Sequence, residues 1–333
     1  PRQMVLREVE QPQPAPDEVL IQVAYSGICG SELGGYLGQN SLRKPPLIMG
    51  HEFSGEIVAL GEQAATIRPG LRVGQRVTVN PLIHNPWSRA ALKGRPNLNR
   101  ERKIIGIHRP GSYAHYVTAP ATNTYPLPDG LSLEHAALTE PLACAIRAAK
   151  LSGVRATDRV LITGLGPIGL LALQVVKANG ARAIIATDTD PDRRAIGASF
   201  GVTVLDPRAE NVVETVRGQT DGEGVEAAID AVGATATRRQ CIESVAWGGT
   251  VVLTGLHDEE SSLQTNYIIR SEVTLKGSFA YTTLDFEDAL HWLAEGRLEI
   301  DPWLVKAPLA EGGACFERLL GKPGPVAKIL LHA

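Results

Sequence analysis

The first third of the chain is patterned in short apolar runs. Val19–Ala24 (VLIQVA), Glu56–Ala59 and Arg76–Val79 are β-branched and bounded by glycine or proline, which predicts strands. The chain's 22 prolines keep such segments short. From Glu134 to Lys150 the texture changes to an alanine-rich stretch with apolar positions at helical spacing, predicting one helix. Beyond it strands and helices alternate. Arg159–Thr163 (RVLIT) reads as a strand, Pro167–Asn179 as a helix closed by Gly180, and Ala183–Thr187 (AIIAT) as the next strand. Asp190 and Pro191 then open a helix, as N-cap and first-turn residue, and Gly201 ends it. Val225–Asp230 and Thr250–Thr254 supply further buried strands, and Val273–Leu275 reads as a sheet edge. This alternation specifies a parallel, doubly wound sheet covered on both faces. An amphipathic helix, Phe286–Ala294, and an apolar end, Val326–Leu331, fit either domain on pattern alone.

Length turns this change of texture into a domain expectation. The chain has 333 residues, and a single core stops growing near roughly 250–300. Charge removes one class of function: 33 basic against 36 acidic side chains leave a net charge of −3, without the basic face that nucleic acid requires. Four cysteines are too few for a disulfide scaffold. The apolar run 160–176 is broken by Thr163, Gly164, Gly166, Pro167, Gly169 and Gln174, so it is no membrane span. With no secretory pattern at the start of the sequence, the expectation is a cytoplasmic α/β protein that engages neither membrane nor nucleic acid.

Two constellations carry chemistry. Gly164-Leu165-Gly166-Pro167-Ile168-Gly169 is G-x-G-x-x-G, placed directly after a strand and opening a helix. The first glycine permits the tight turn, the second lets backbone approach a pyrophosphate, and the third allows helix and strand to pack closely. The next strand ends in Asp188, nineteen residues past Gly169, where a carboxylate accepts hydrogen bonds from a ribose 2′-hydroxyl and repels a 2′-phosphate. That favours NAD over NADP. Arg193 and Arg194 are the residues that would reach a 2′-phosphate, with solvated helix charges as the blander reading. In the second constellation, Cys29, His51, Glu52 and Glu140 offer ligand groups suited to zinc. Spacing alone leaves each a plainer explanation: a buried thiol, a satisfied histidine, exposed acids.

The segments GICGSE, GHEFSGEIVALG, EPLACAIRA and GLGPIGLLALQVVKANGA, in this order, resemble the medium-chain zinc-dependent alcohol and polyol dehydrogenases, and within them the sorbitol, butanediol and threonine dehydrogenase branch. The resemblance runs from Val19 to Leu330. It implies a GroES-like β-rich catalytic domain from residues 1–140 and 282–333, with a Rossmann dinucleotide-binding domain, 141–281, inserted between. It further implies Cys29 and His51 as zinc ligands, Glu52 and Glu140 as acidic members alternating with water or substrate, and Ser31 as the hydroxyl exchanging a proton with the substrate alcohol. A homodimer or homotetramer joined through cofactor-domain sheets is implied as well.

Three departures from the family pattern stand out. Glu32 replaces the usual aspartate that orients the zinc-bound histidine, one methylene longer. Gly34 stands where a proton-relaying histidine is frequent. Asn85, Ser88, Ala91 and Asn99 occupy the four cysteine positions of the structural zinc lobe, so one catalytic zinc and no structural zinc is expected. Together the elements predict hydride transfer between NAD and a small secondary alcohol, diol or polyol, or its ketone. Two rivals are a zinc-free NAD(P)H-dependent reductase of the same superfamily, which would lack the four metal-ligand residues, and a non-catalytic NAD-binding protein. Gly277–Tyr281, Tyr36, Trp87 and Tyr113 are either pocket-shaping or core residues. His84, His108 and His115 read as solvated, and Cys144, Cys241 and Cys315 as reduced core thiols.

Overall fold

The computed structural model describes residues 1–39 and 42–332. Its chain divides into two compact units. One is Pro1–Glu140 with Thr282–Pro323 and Lys328–Ala333; the other is Pro141–Tyr281 with Gly324–Ala327. The four residues 324–327, expected in the first domain, group with the second.

The first unit is GroES-like and built on a 7-stranded sheet. Its strands run Leu304–Pro308, Lys328–His332, Glu18–Gly27, Glu52–Leu60, Arg76–Val79 and Thr124–Pro126, with Tyr116–Pro120 also pairing Glu18–Gly27. Val19, Ile21 and Val23 lie on one face of their strand and pack with Phe53, Ile57, Val77, Val79 and Val117 into one core. Glu18–Gly27 outruns its expected span because three strands pair with it along its length. The C-terminal apolar run belongs to this sheet, since Lys328–His332 lies against Ser26 and Gly27. The single helix expected over 134–150 is two, Leu133–Ala136 and Thr139–Ser152. The Thr139 hydroxyl donates to Ala136 O at 2.7 Å, a side-chain bond that competes with continuing the helix.

The second unit is Rossmann-like. Its 6-stranded sheet has the order Thr203–Leu205, Ala183–Thr187, Arg159–Thr163, Val225–Asp230, Val245–Leu253, Thr274–Gly277, and all pairs are parallel. In chain order this is 3-2-1-4-5-6, which reverses between Arg159–Thr163 and Val225–Asp230 and so places a crevice at the carboxyl ends of those strands. Val245–Leu253 starts earlier than expected. A register shift against Val225–Ala227 accommodates Gly248 and Gly249, which hide the strand in the sequence. Thr274–Gly277 ends the sheet. No helix among the described residues is long and apolar enough to cross a membrane.

Candidate active site

Three backbone segments bring the candidate metal-ligand side chains of the first unit together. Antiparallel pairing sets Gly27 opposite Glu52, so Cys29, two residues on, and His51, one residue before, become neighbours. The returning C-terminal strand bonds the same corner, Ile28 N to Ile329 O at 3.0 Å, and brings in Lys328. As a result one donor atom from each of Cys29, His51 and Glu52 lies within 4.8 Å of the others. Glu140 is buried but does not join this group. It does act electrostatically on Lys328, as described below.

Glu32 organises the cluster. Cys29 is the N-cap of the helix Gly30–Tyr36, and Glu32 at its third position reaches back as the acid of a capping box. Its Oε2 accepts from Cys29 N at 3.1 Å and from the Tyr113 hydroxyl. Its Oε1 accepts from Gly50 N at 2.8 Å and pairs with His51 Nδ1 at 3.0 Å. The extra methylene relative to aspartate therefore does not cost the histidine contact. With Nδ1 occupied, the His51 ring turns Nε2 toward the thiol, the orientation a metal ligand needs. Glu32 is 0% exposed. Burial opposes its charge, but the His51 and Arg43 charges and the bonds from His51 and Tyr113 outweigh burial and hold its carboxyl at about 2. His51 responds in the opposite sense. Burial disfavours its cation, but Glu32 and Cys29 raise it well above the ordinary imidazole value. Burial and the nearby Glu32, Glu52 and Cys29 push the Tyr113 phenol well up, so it stays a donor.

Around this core sit further charged and polar groups. Lys328 Nζ donates to Ile28 O at 3.0 Å and to Glu52 Oε2 at 2.5 Å. Burial works against its charge, but Glu52, Cys29 and Glu140 raise its pKa. Ser31 Oγ donates to Cys29 Sγ at 3.3 Å and accepts from Arg43 Nη2 at 3.1 Å. Sequence reading missed Lys328 and Arg43 altogether. Lys328 interrupts the apolar run Val326–Leu331, and that interruption was its only signal. Of the aromatics left open, Tyr113 belongs to the site and Tyr281 to the core, Tyr36 donates to Glu317 at 2.8 Å, and Trp87 is exposed. His115 is exposed, and His108 Nδ1 accepts from Ile104 N at 3.0 Å. None of the four cysteines is in a disulfide, with Cys241 and Cys315 buried and Cys144 half-buried.

In the second unit the glycine turn closes on itself. Gly164 has φ +87°, and a Cβ at Gly169 would lie 1.7 Å from Gly164 O, so only glycine lets the helix Pro167–Ala178 start against the strand end. Gly166 is its N-cap, with Pro167 and Ile168 in the first turn. Asp188 ties the next strand to this turn: Oδ2 accepts from Leu165 N at 2.7 Å and Oδ1 from Asp190 N at 2.8 Å. Each oxygen retains a second lone pair for a ribose hydroxyl. Arg194 is engaged by Asp188 O at 2.9 Å and Asp206 at 2.9 Å. Arg193 instead lies over the turn, its Nη1 3.9 Å from where a Gly166 Cβ would be, and its buried Nε lacks a partner.

Side-chain caps close segment 85–99 of the first unit. Asn85 Oδ1 accepts from Trp87 N at 2.9 Å, Ser88 Oγ from Ala91 N at 3.2 Å, and Asn99 Oδ1 from Glu101 N at 2.8 Å. Three of the four positions where thiolates were sought thus act as Asx or Ser turns.

Residues 15–129 match the alcohol dehydrogenase GroES-like domain, and residues 167–295 match the zinc-binding dehydrogenase family. The chain is 33% identical to L-galactonate-5-dehydrogenase of Escherichia coli (strain K12), over 96% of this chain and 92% of that protein. To D-arabitol-phosphate dehydrogenase of Enterococcus avium it is 35% identical, over 99% and 94%. Its backbone matches the crystal structure of 2R,3R-butanediol dehydrogenase from Bacillus subtilis with a TM-score of 0.90 at 31% identity, covering 100% of this chain and 97% of that one. The chain belongs to the zinc-type medium-chain alcohol and polyol dehydrogenase family.

Proposed function

We propose that this protein oxidises a secondary alcohol, diol or polyol to the ketone with NAD, using one zinc ion and no structural zinc. The observation that carries this reading is the convergence of Cys29, His51 and Glu52 donor atoms within 4.8 Å, on a histidine whose other nitrogen is already held. A thiolate, an imidazole and a carboxylate form a donor set suited to zinc with a coordination position left open. When bound, zinc supplies polarisation of the alcohol or carbonyl oxygen and the nicotinamide takes up or returns the hydride.

The chain's own residues do the rest. Cys29 and His51 hold the metal with Glu52, while Glu140, outside their cluster, is the second acid that alternates with water or substrate. Lys328 holds Glu52 by one oxygen and so sets how far that carboxylate can swing. Glu32 fixes the imidazole, and Tyr113 and two backbone N–H groups fix Glu32. Ser31 receives the alcohol proton. In the oxidative direction the carbinol C–H leaves as hydride and the O–H as a proton, which balances the ketone product. Gly164, Gly166, Pro167, Ile168 and Gly169 form the pyrophosphate turn, and Asp188 and Arg193 flank the adenosine ribose. NAD is favoured because Asp188 repels a 2′-phosphate and Arg194 is already paired. Arg193 is the feature that supports NADP as a second reading. The substrates printed in the relatives' names, a galactonate, an arabitol phosphate and a butanediol, support polyols and diols as the class.

The test is reduction of NAD and NADP by the zinc-supplemented protein on a panel of diols and polyols. Turnover with NAD that disappears in Cys29→Ser, while that variant still binds NADH, supports the reading. Full activity in Cys29→Ser contradicts it.

A further inference from the structure

Arg43 is the anomaly of the site. It is 6% exposed, and its Nε is buried without a partner. Among the described residues its one hydrogen bond is Nη2 to Ser31 Oγ, a neutral acceptor, at 3.1 Å. A buried guanidinium is costly unless an anion answers it; Glu32 feels its charge, but neither carboxylate of the cluster hydrogen-bonds it, because both are committed elsewhere. Both oxygens of Glu32 are filled by Cys29 N, Tyr113, Gly50 N and His51. Glu52 is held by Lys328. The chain also makes room for this arginine, since a Cβ at Gly35 would lie 2.4 Å from Arg43 Cδ. Gly34 beside it has nothing within 4 Å of an added Cβ.

We propose that Arg43 recognises an anionic group, a carboxylate or a phosphate, on the polyol substrate. This rests on the alcohol-oxidising reading above. Arg43 lies two hydrogen bonds from the thiol, through Ser31. An alcohol whose proton passes to Ser31 therefore carries its neighbouring carbons toward the guanidinium. A planar fork of N–H donors suits a carboxylate or phosphate in two-point contact. The preferred substrates are thus sugar acids or polyol phosphates rather than neutral polyols, with Arg43 setting that preference and the metal cluster the chemistry.

The experiment measures kcat/KM on the zinc-supplemented full chain for three substrates of one carbon skeleton: the neutral polyol, its aldonate and its phosphate ester. One charged form is expected to exceed the neutral polyol at least tenfold, and which of the two leads tells carboxylate from phosphate. Arg43→Gln should cut that preference at least tenfold, chiefly through KM, while Arg43→Lys retains part of it. A second readout needs no turnover: inorganic phosphate and gluconate should raise the melting temperature of the unmodified protein more than that of Arg43→Gln. Absence of a charged-substrate preference in the unmodified protein overturns the proposal. So does an equal loss on charged and neutral substrates in Arg43→Gln, which would make Arg43 a brace for Ser31 only. If no alcohol is oxidised yet the anion-induced shift depends on Arg43, the dehydrogenase reading fails and the anion site stands. If neither anion produces such a shift, the anion site itself is refuted.

Discussion

Replacing Glu32 by glutamine removes one charge and leaves the shape nearly unchanged. The four groups around Glu32 all donate to it or pair with it: Cys29 N and Tyr113 at one oxygen, Gly50 N and His51 at the other. Whichever way the amide turns, its NH2 end faces donors. The carboxyl is held down from 4.5 to about 2, which at roughly 1.4 kcal/mol per unit amounts to about 3 kcal/mol. Breaking a buried ion pair costs a similar amount, roughly 3–5 kcal/mol. Because the folded-state pKa of Glu32 is depressed, its contribution is present above pH 4.5 and is lost as pH falls through about 2. His51 is raised, so in the metal-free protein its contribution is complete below 6.5 and is lost as pH rises through its elevated folded value. Urea unfolding of chelator-treated protein should therefore show Glu32→Gln destabilised by about 3 kcal/mol near pH 6, shrinking to roughly half by pH 3. A penalty below about 1 kcal/mol near pH 6, or one that does not change down to pH 3, would refute the reasoning.

Other outcomes follow from the same geometry. Gly169→Ala forces a Cβ to 1.7 Å from Gly164 O. It should cost about 1–3 kcal/mol of stability and weaken NADH binding at least tenfold by calorimetry. Wild-type binding would mean that the turn is not the pyrophosphate site. Ser88→Ala removes the acceptor for Ala91 N and should destabilise its segment by about 1 kcal/mol, read as faster amide exchange over 88–95 with no change in zinc content. Zinc uptake by the metal-free protein must displace a proton from His51, whose pKa is raised. Apparent zinc affinity should therefore climb with pH above neutrality, and a pH-independent affinity would argue against His51 as a ligand.

What could be read from the sequence was local. The strand–glycine turn–helix at 159–169 and the carboxylate at Asp188 follow from patterns a few residues long, and the structure has the same strand limits. The strand 245–253 was half lost because Gly248 and Gly249 break the apolar run that would have marked it. The break near Thr139 depends on one side-chain hydroxyl finding a backbone carbonyl, which periodicity does not encode. Around the candidate metal site, Cys29, His51 and Glu52 stood out by residue type. Arg43 and Lys328 did not, because their meaning comes from burial and partners: a lysine on a C-terminal strand reaches Glu52 across 276 residues of chain. Glu140 illustrates the converse. Family resemblance placed it with the other ligands, while the geometry leaves it outside their cluster.

The most direct test is anomalous diffraction at the zinc absorption edge from crystals grown with zinc and NADH. A single peak per chain, bounded by Cys29 Sγ and His51 Nε2 with Glu32 still on Nδ1, is the predicted result. No peak between those two side chains, or a second peak within residues 85–99, would contradict the account.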